Sequence, residues 1–93
     1  MLFMVRWSIS PQQRNSAIER FLKTGGAPPA GVKMLGRWHA VGGSSGVGIA
    51  EASDPVAIQK WVLEWSDLMN MEVHAALTDE QVAPLLAAVV GKQ

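Results

Sequence analysis

The chain has 93 residues, with eight Lys and Arg against eight Asp and Glu, no Cys, four Trp and no Tyr. Hydrophobic residues make up 48% and charged residues only 17%, where an ordinary soluble domain carries about 25% charged residues, so part of the folded surface is expected to face a partner, a second copy first. The same figures allow one domain over residues 1–93 and exclude disulfides, thiol chemistry and Cys-based zinc sites, while the lack of any Lys/Arg run excludes an electrostatic footprint for nucleic acid or anionic membrane.

No apolar stretch approaches the ~20 residues of a spanning helix, and the first residues lack a signal-peptide pattern. A cytoplasmic protein is the expectation. Residues 1 to 9 are rich in aromatic and β-branched types, with Phe3, Val5, Trp7 and Ile9 on one parity, which predicts a strand. Ser10-Pro11-Gln12-Gln13 has the capping-box arrangement and predicts a helix from Pro11, with Ala17, Ile18, Phe21 and Leu22 at helical spacing. Gly25-Gly26-Ala27-Pro28-Pro29 stops it.

A second strand is expected over Val32 to Val41 and a third over Val47 to Ala52, joined by the hairpin loop Gly42-Gly43-Ser44-Ser45-Gly46. Ser53-Asp54-Pro55 then caps a second helix whose stripe runs through Ile58, Trp61, Val62, Trp65, Leu68 and Met69. A fourth strand covers Asn70 to Leu77. Thr78-Asp79-Glu80-Gln81 is a further capping box, opening a helix expected to bury Val82, Leu85, Leu86, Val89 and Val90 and to kink at Pro84.

The order is β-α-β-β-α-β plus a terminal helix. That is the α+β, ferredoxin-like pattern, with a four-stranded antiparallel sheet and the first and third strands at its centre. Alternation assigns Phe3, Val5, Trp7, Met34, Trp38, Ala50, Val73 and Ala75 to the helix-covered face. Leu2, Met4, Arg6, Leu35, Arg37, His39, Val47, Ile49, Glu51, Glu72 and His74 fall on the other face. That second face is partly apolar and has nothing in the chain to cover it, so a second sheet from another copy is the physical remedy.

The segments Met1 to Trp7, Gly26-Ala27-Pro28-Pro29-Ala30-Gly31-Val32-Lys33, Gly36-Arg37-Trp38-His39, Ile49-Ala50-Glu51-Ala52 and Trp61-Val62-Leu63-Glu64-Trp65-Ser66-Asp67-Leu68 resemble the small bacterial domain-of-unknown-function family 3303. Its members are placed with the dimeric α/β-barrel superfamily. The resemblance spans nearly the whole chain and implies a homodimer in which the sheets of two ferredoxin-like protomers form a barrel. It brings no catalytic residues with it. The superfamily holds cofactor-independent monooxygenases, isomerases and haem-binding dismutases, and a shared fold does not transfer a reaction.

Arg37, His39 and Glu51 form the one cluster with the ingredients of a site. Pairing Val41 with Val47 sets Arg37 opposite Glu51, whereas a loop longer by one residue on each side sets His39 opposite Glu51. Both registers keep the three on one face, within reach of Arg6. A carboxylate beside His or Arg in a semi-apolar cavity serves as a general base or anchors a polar substrate, and the plainer reading is a cross-strand ion pair at a dimer interface. Trp7 and Trp38, expected on the helix face, are candidates to line a cleft between sheet and helices, while Trp61 and Trp65, at i, i+4, read as core. His39 and His74 are too isolated for a metal set, so no metal, haem or other cofactor is expected. The glycine-rich loop joins two strands and lacks the Gly-Lys-Ser/Thr ending, so it is no phosphate cradle.

These readings converge on a homodimer that binds a small, largely apolar organic molecule. The residues name no reaction type. The alternative is an interaction module without a substrate, and a cofactor-independent monooxygenase or isomerase rests on superfamily analogy alone. Cavity volume separates the first two: a barrel filled by Met4, Leu35 and Ile49 leaves no room for a ligand, whereas about 300 Å³ or more accommodates one.

Overall fold

A computed structural model describes residues 1–91 of the chain. Strand β1 (Leu2–Ser8) alternates as its sequence predicts, with Phe3 and Val5 buried and Arg6 exposed on the other parity. Helix α1 (Arg14–Thr24) begins three residues later than expected. Pro11 to Gln13 form a turn instead, in which the Gln13 amide donates to the Ser10 carbonyl at 3.0 Å, so the Ser10 hydroxyl caps nothing and Gln13 occupies the N-cap without a side-chain bond. Gly25 ends α1 at φ 71°, its amide donating to Phe21 O at 2.7 Å, a left-handed geometry that glycine adopts without a Cβ penalty.

Strands β2 (Val32–His39) and β3 (Ser45–Ala52) form a hairpin closed by the Ala40 amide donating to Ser45 O at 2.9 Å. β2 thus ends two residues before the expected Val41, which stands fully exposed. Helix α2 (Pro55–Trp65) starts as the sequence predicts: Asp54 accepts from the Val56 amide at 2.9 Å and Pro55 takes the first turn. It buries Ile58, Trp61 and Trp65 and stops at Trp65, so Leu68 and Met69 lie in the turn leading to β4 (Asn70–Ala76). Helix α3 (Asp79–Gly91) opens with the expected reciprocal box. The Thr78 amide donates to Gln81 Oε1 at 2.9 Å and the Gln81 amide donates to Thr78 Oγ1 at 3.2 Å.

The four strands make one antiparallel sheet in the order β2-β3-β1-β4, the ferredoxin-like arrangement with β1 and β3 central. Phe3, Val5, Val32, Ala50, Ala52, Ile58, Trp61 and Trp65 form the core between the sheet and α2. The small side chains of Ala50 and Ala52 on β3 share that core with the two indoles of α2. A clamp outside the core ties α1 to the end of α2. Arg20 donates through Nη1 and Nη2 to the two carboxylate oxygens of Asp67, each at 2.8 Å, and through Nη1 to Glu64 O at 2.8 Å, while its guanidinium lies 5.5 Å from the Trp65 ring centroid. The hydrogen bonds from Arg20 hold the Asp67 carboxyl below its ordinary pKa, and those to Asp67 raise that of Arg20.

Two expectations are overturned. The first concerns β2. Met34 pairs with Ala50 and Gly36 with Ile49, so Leu35 is an extra residue with no partner, a β-bulge. One inserted residue reverses the parity of everything after it. Arg37 therefore pairs with Gly48 and His39 with Gly46 on the helix side, whereas Trp38 pairs with Val47 on the open face and is 60% exposed. Neither anticipated register of Glu51 occurs: its partner on β2 is Lys33.

The second concerns α3, which runs continuously through Pro84 and buries no residue. Val82 is half-buried, but Leu85, Leu86, Val89 and Val90 remain 58–68% exposed. The Cα radius of gyration is 16.0 Å, where a compact chain of this length gives about 12 Å. Among the described residues, most of the apolar stripe of this helix is left uncovered.

Candidate functional site

A cleft of about 300 Å³ lies between the helix-covered face of the sheet, α1 and the α2 end. Its floor is Val5 and Trp7 from β1, Gly48 from β3, Met34, Arg37 and His39 from β2, and Met71 from β4. Ala17, Ile18 and Phe21 of α1 form one wall; Trp61, Trp65 and Met69 form another. Gly48 contributes no side chain to the floor, so the space above it stays open.

Each polar group at the cleft has an identifiable position. Arg37 donates through Nη1 to Gly26 O and through Nη2 to Gly25 O, both at 3.1 Å, and its guanidinium lies 4.9 Å from the Phe21 ring centroid. It thereby satisfies carbonyls at the end of α1, where the helix dipole favours a cation, and fixes that helix over the cleft. Gly26 is required beside it: its φ is 62°, and a Cβ there would collide with Arg37 Nη1 and the Phe21 ring. The His39 ring stands edge-on to Trp7, with centroids 5.5 Å apart at 75°, and edge-on to Phe21, 5.8 Å apart at 82°. Trp61 is 5% exposed and its buried indole N–H has no acceptor among the described residues. A buried donor without a partner carries a desolvation cost of about 1–3 kcal/mol.

The six residues singled out in the sequence separate into three places. Trp7, Arg37 and His39 line the cleft. Arg6 and Trp38 line a more open concavity of about 480 Å³ on the other face with Val47, Asn70 and Glu72, which Trp7 and His39 border from the sheet end. Glu51 lies at a third depression, beside Lys33 and Met1. The expected Arg37, His39 and Glu51 cluster does not assemble, because the bulge at Leu35 carries the first two to the opposite side of the sheet from Glu51.

Sequence reading missed Phe21, Met34, Met69 and Met71 as cleft residues, and it treated Trp61 and Trp65 as core alone. They are both: buried against the sheet and exposed to the cleft along one side. The crowding of Trp and Met at core-facing positions was the available signal, because both side-chain types also suit binding surfaces.

Comparison with known proteins adds the following. No curated protein matches the chain. The structure of Rv0793 from Mycobacterium tuberculosis is similar at a TM-score of 0.48 and 16% identity, over 83% of this chain and 94% of that one. The model of the domain of unknown function DUF3303 matches residues 1–90, and the chain belongs to that family.

Proposed function

We propose that this protein binds a small, largely apolar organic molecule in the cleft between its sheet and helices, and that it does so as a homodimer. The observation that carries the binding reading is a cleft of about 300 Å³ walled by Phe21, Trp61 and Trp65, at the lower end of the range for small-molecule sites. The unpartnered Trp61 N–H supports it.

Dimerisation through the open sheet face is supported by the exposed apolar surface of Leu35, at 50%, and Trp38, at 60%, which flank the half-buried Val47 and Ile49. A second sheet laid on that face covers them and offers the stripe of α3 a neighbour. The free α3 favours a second reading in which assembly is itself the function. Native mass spectrometry of gently purified protein tests both. A dimer that carries additional bound mass supports the binding reading; a dimer that stays empty after incubation with hydrophobic small molecules leaves the assembly reading. A monomer at micromolar concentration removes the homodimer.

A further inference from the structure

The polar side chains at the cleft are mostly hydrogen-bond donors. Trp7, Trp61 and Trp65 each bring an indole N–H, which donates and never accepts. Arg37 brings a guanidinium with five N–H groups, of which the carbonyls of Gly25 and Gly26 engage two nitrogens and leave donors spare. The His39 side chain makes no hydrogen bond among the described residues, and a neutral imidazole brings one donor and one acceptor. No Asp, Glu, Asn, Gln, Ser or Thr lines the cleft, and no carboxylate lies within ion-pair distance of Arg37 among the described residues. The site therefore offers more donors than acceptors, with His39 the one side chain able to accept, and one positive charge with no carboxylate beside it, against an aromatic wall.

We infer that the ligand is a small aromatic carboxylate, its rings between the indoles and its oxygens accepting from Arg37 and the indole N–H groups. The inference rests on the binding reading above. Three features select this class. The uncompensated guanidinium disfavours a cationic ligand and favours an anion. With His39 the one side-chain acceptor, a ligand rich in N–H and O–H groups leaves some of them unpaired, at a cost wherever they are desolvated. The rings of Trp7, Phe21, Trp61 and Trp65, with the sulfurs of Met34 and Met69, suit the faces and edges of a flat aromatic group.

Three probes of one shape separate the outcomes: 2-naphthoate, 2-naphthylmethanol and 2-naphthylmethylamine, which is cationic at neutral pH, each titrated calorimetrically into the full chain. The expected order is naphthoate tightest, with the alcohol weaker by about tenfold, the scale of one charge-assisted hydrogen bond, and the amine weakest. Arg37→Gln is expected to erase the preference for naphthoate over the alcohol, the roughly tenfold gap between the two closing whatever their absolute affinities become. Should Arg37→Gln loosen α1 and lose its native circular dichroism, Trp61→Phe, which keeps the ring and removes the N–H, is expected to weaken naphthoate more than the amine. Equal binding of all three, or tighter binding of the amine, overturns the carboxylate assignment and leaves the cleft as a binding site. Binding of none overturns both.

Discussion

The His39 ring meets Trp7 edge-on on the helix-covered side of the sheet, with centroids 5.5 Å apart, although Trp7 lies on β1 and His39 on the edge strand β2. The contact spans the central strand, and it is open because the intervening position on β3 is Gly46. A Cβ at Gly46 would collide with the Trp7 ring. The contact also depends on Leu35 being bulged: were Leu35 paired in regular alternation, His39 would point the other way.

Gly48 is the point at which the cleft can be filled without disturbing the fold. The nearest atom to a Cβ there is Gly36 O at 3.4 Å, a tight but ordinary approach, and no positive φ is required. Gly48→Val should remain folded, with a melting temperature at or slightly above the parent because a β-branched residue suits a central strand, and should lose about tenfold or more in affinity for any cleft ligand. Thermal melts and calorimetric titration check the two halves separately.

Deleting Leu35 should be tolerated. The residues on either side of it already pair in sequence with Ala50 and Ile49, so removing the unpaired residue regularises the ladder and keeps Arg37 and His39 on the cleft side. The expected cost is at most about 1–2 kcal/mol from the lost side chain and altered twist. Urea denaturation measures it. Inserting an alanine after Gly36 instead reverses the faces of Arg37, Trp38 and His39 and should destabilise the protein strongly.

The Arg20–Asp67 clamp sets a pH dependence. Because hydrogen bonds from Arg20 depress the folded-state pKa of Asp67, the unfolded chain takes up the proton first as pH falls. The clamp's contribution is complete above the unfolded carboxylate pKa of about 3.9 and is lost as pH falls through the lower folded value. Asp67→Asn should therefore melt below the parent at neutral pH, and the difference should close only in acid. Paired melting curves from neutral to strongly acidic pH follow it.

Trp38→Glu places a charge on the open face at the edge strand β2, where Trp38 pairs with Val47. It should shift the protein to monomer in sedimentation velocity and leave ligand binding in the cleft within about twofold, since Trp38 does not line it. The residue covers Gly36, whose Cβ position its ring occupies. A modest loss of hairpin stability accompanies the change.

Most of the fold was legible because β1, β3 and β4 are regular. In each, alternation alone separates Phe3 and Val5, Ala50 and Ala52, and Val73 from their solvent-facing neighbours. The candidate site was less legible. A bulge is one unpaired residue, and nothing in Met34-Leu35-Gly36 distinguishes a strand that takes one from a strand that does not, apart from a glycine that tolerates the bend. That single residue moved Arg37 and His39 to the cleft, moved Trp38 away from it, and left Glu51 alone. The apolar stripe of α3 was read as buried, and it is not, because helical periodicity reports which face is apolar and not what covers it.

Three of the four tryptophans, Trp7, Trp61 and Trp65, line the cleft, and Trp38 does not. A proton–nitrogen correlation spectrum resolves each indole N–H and so reports where a ligand sits. On titration with 2-naphthylmethanol, the Trp61 and Trp65 resonances should move together along one saturating curve while that of Trp38 stays in place. Saturating shifts confined to Trp38, or no shift at Trp61 and Trp65, would contradict a binding site between the sheet and the helices.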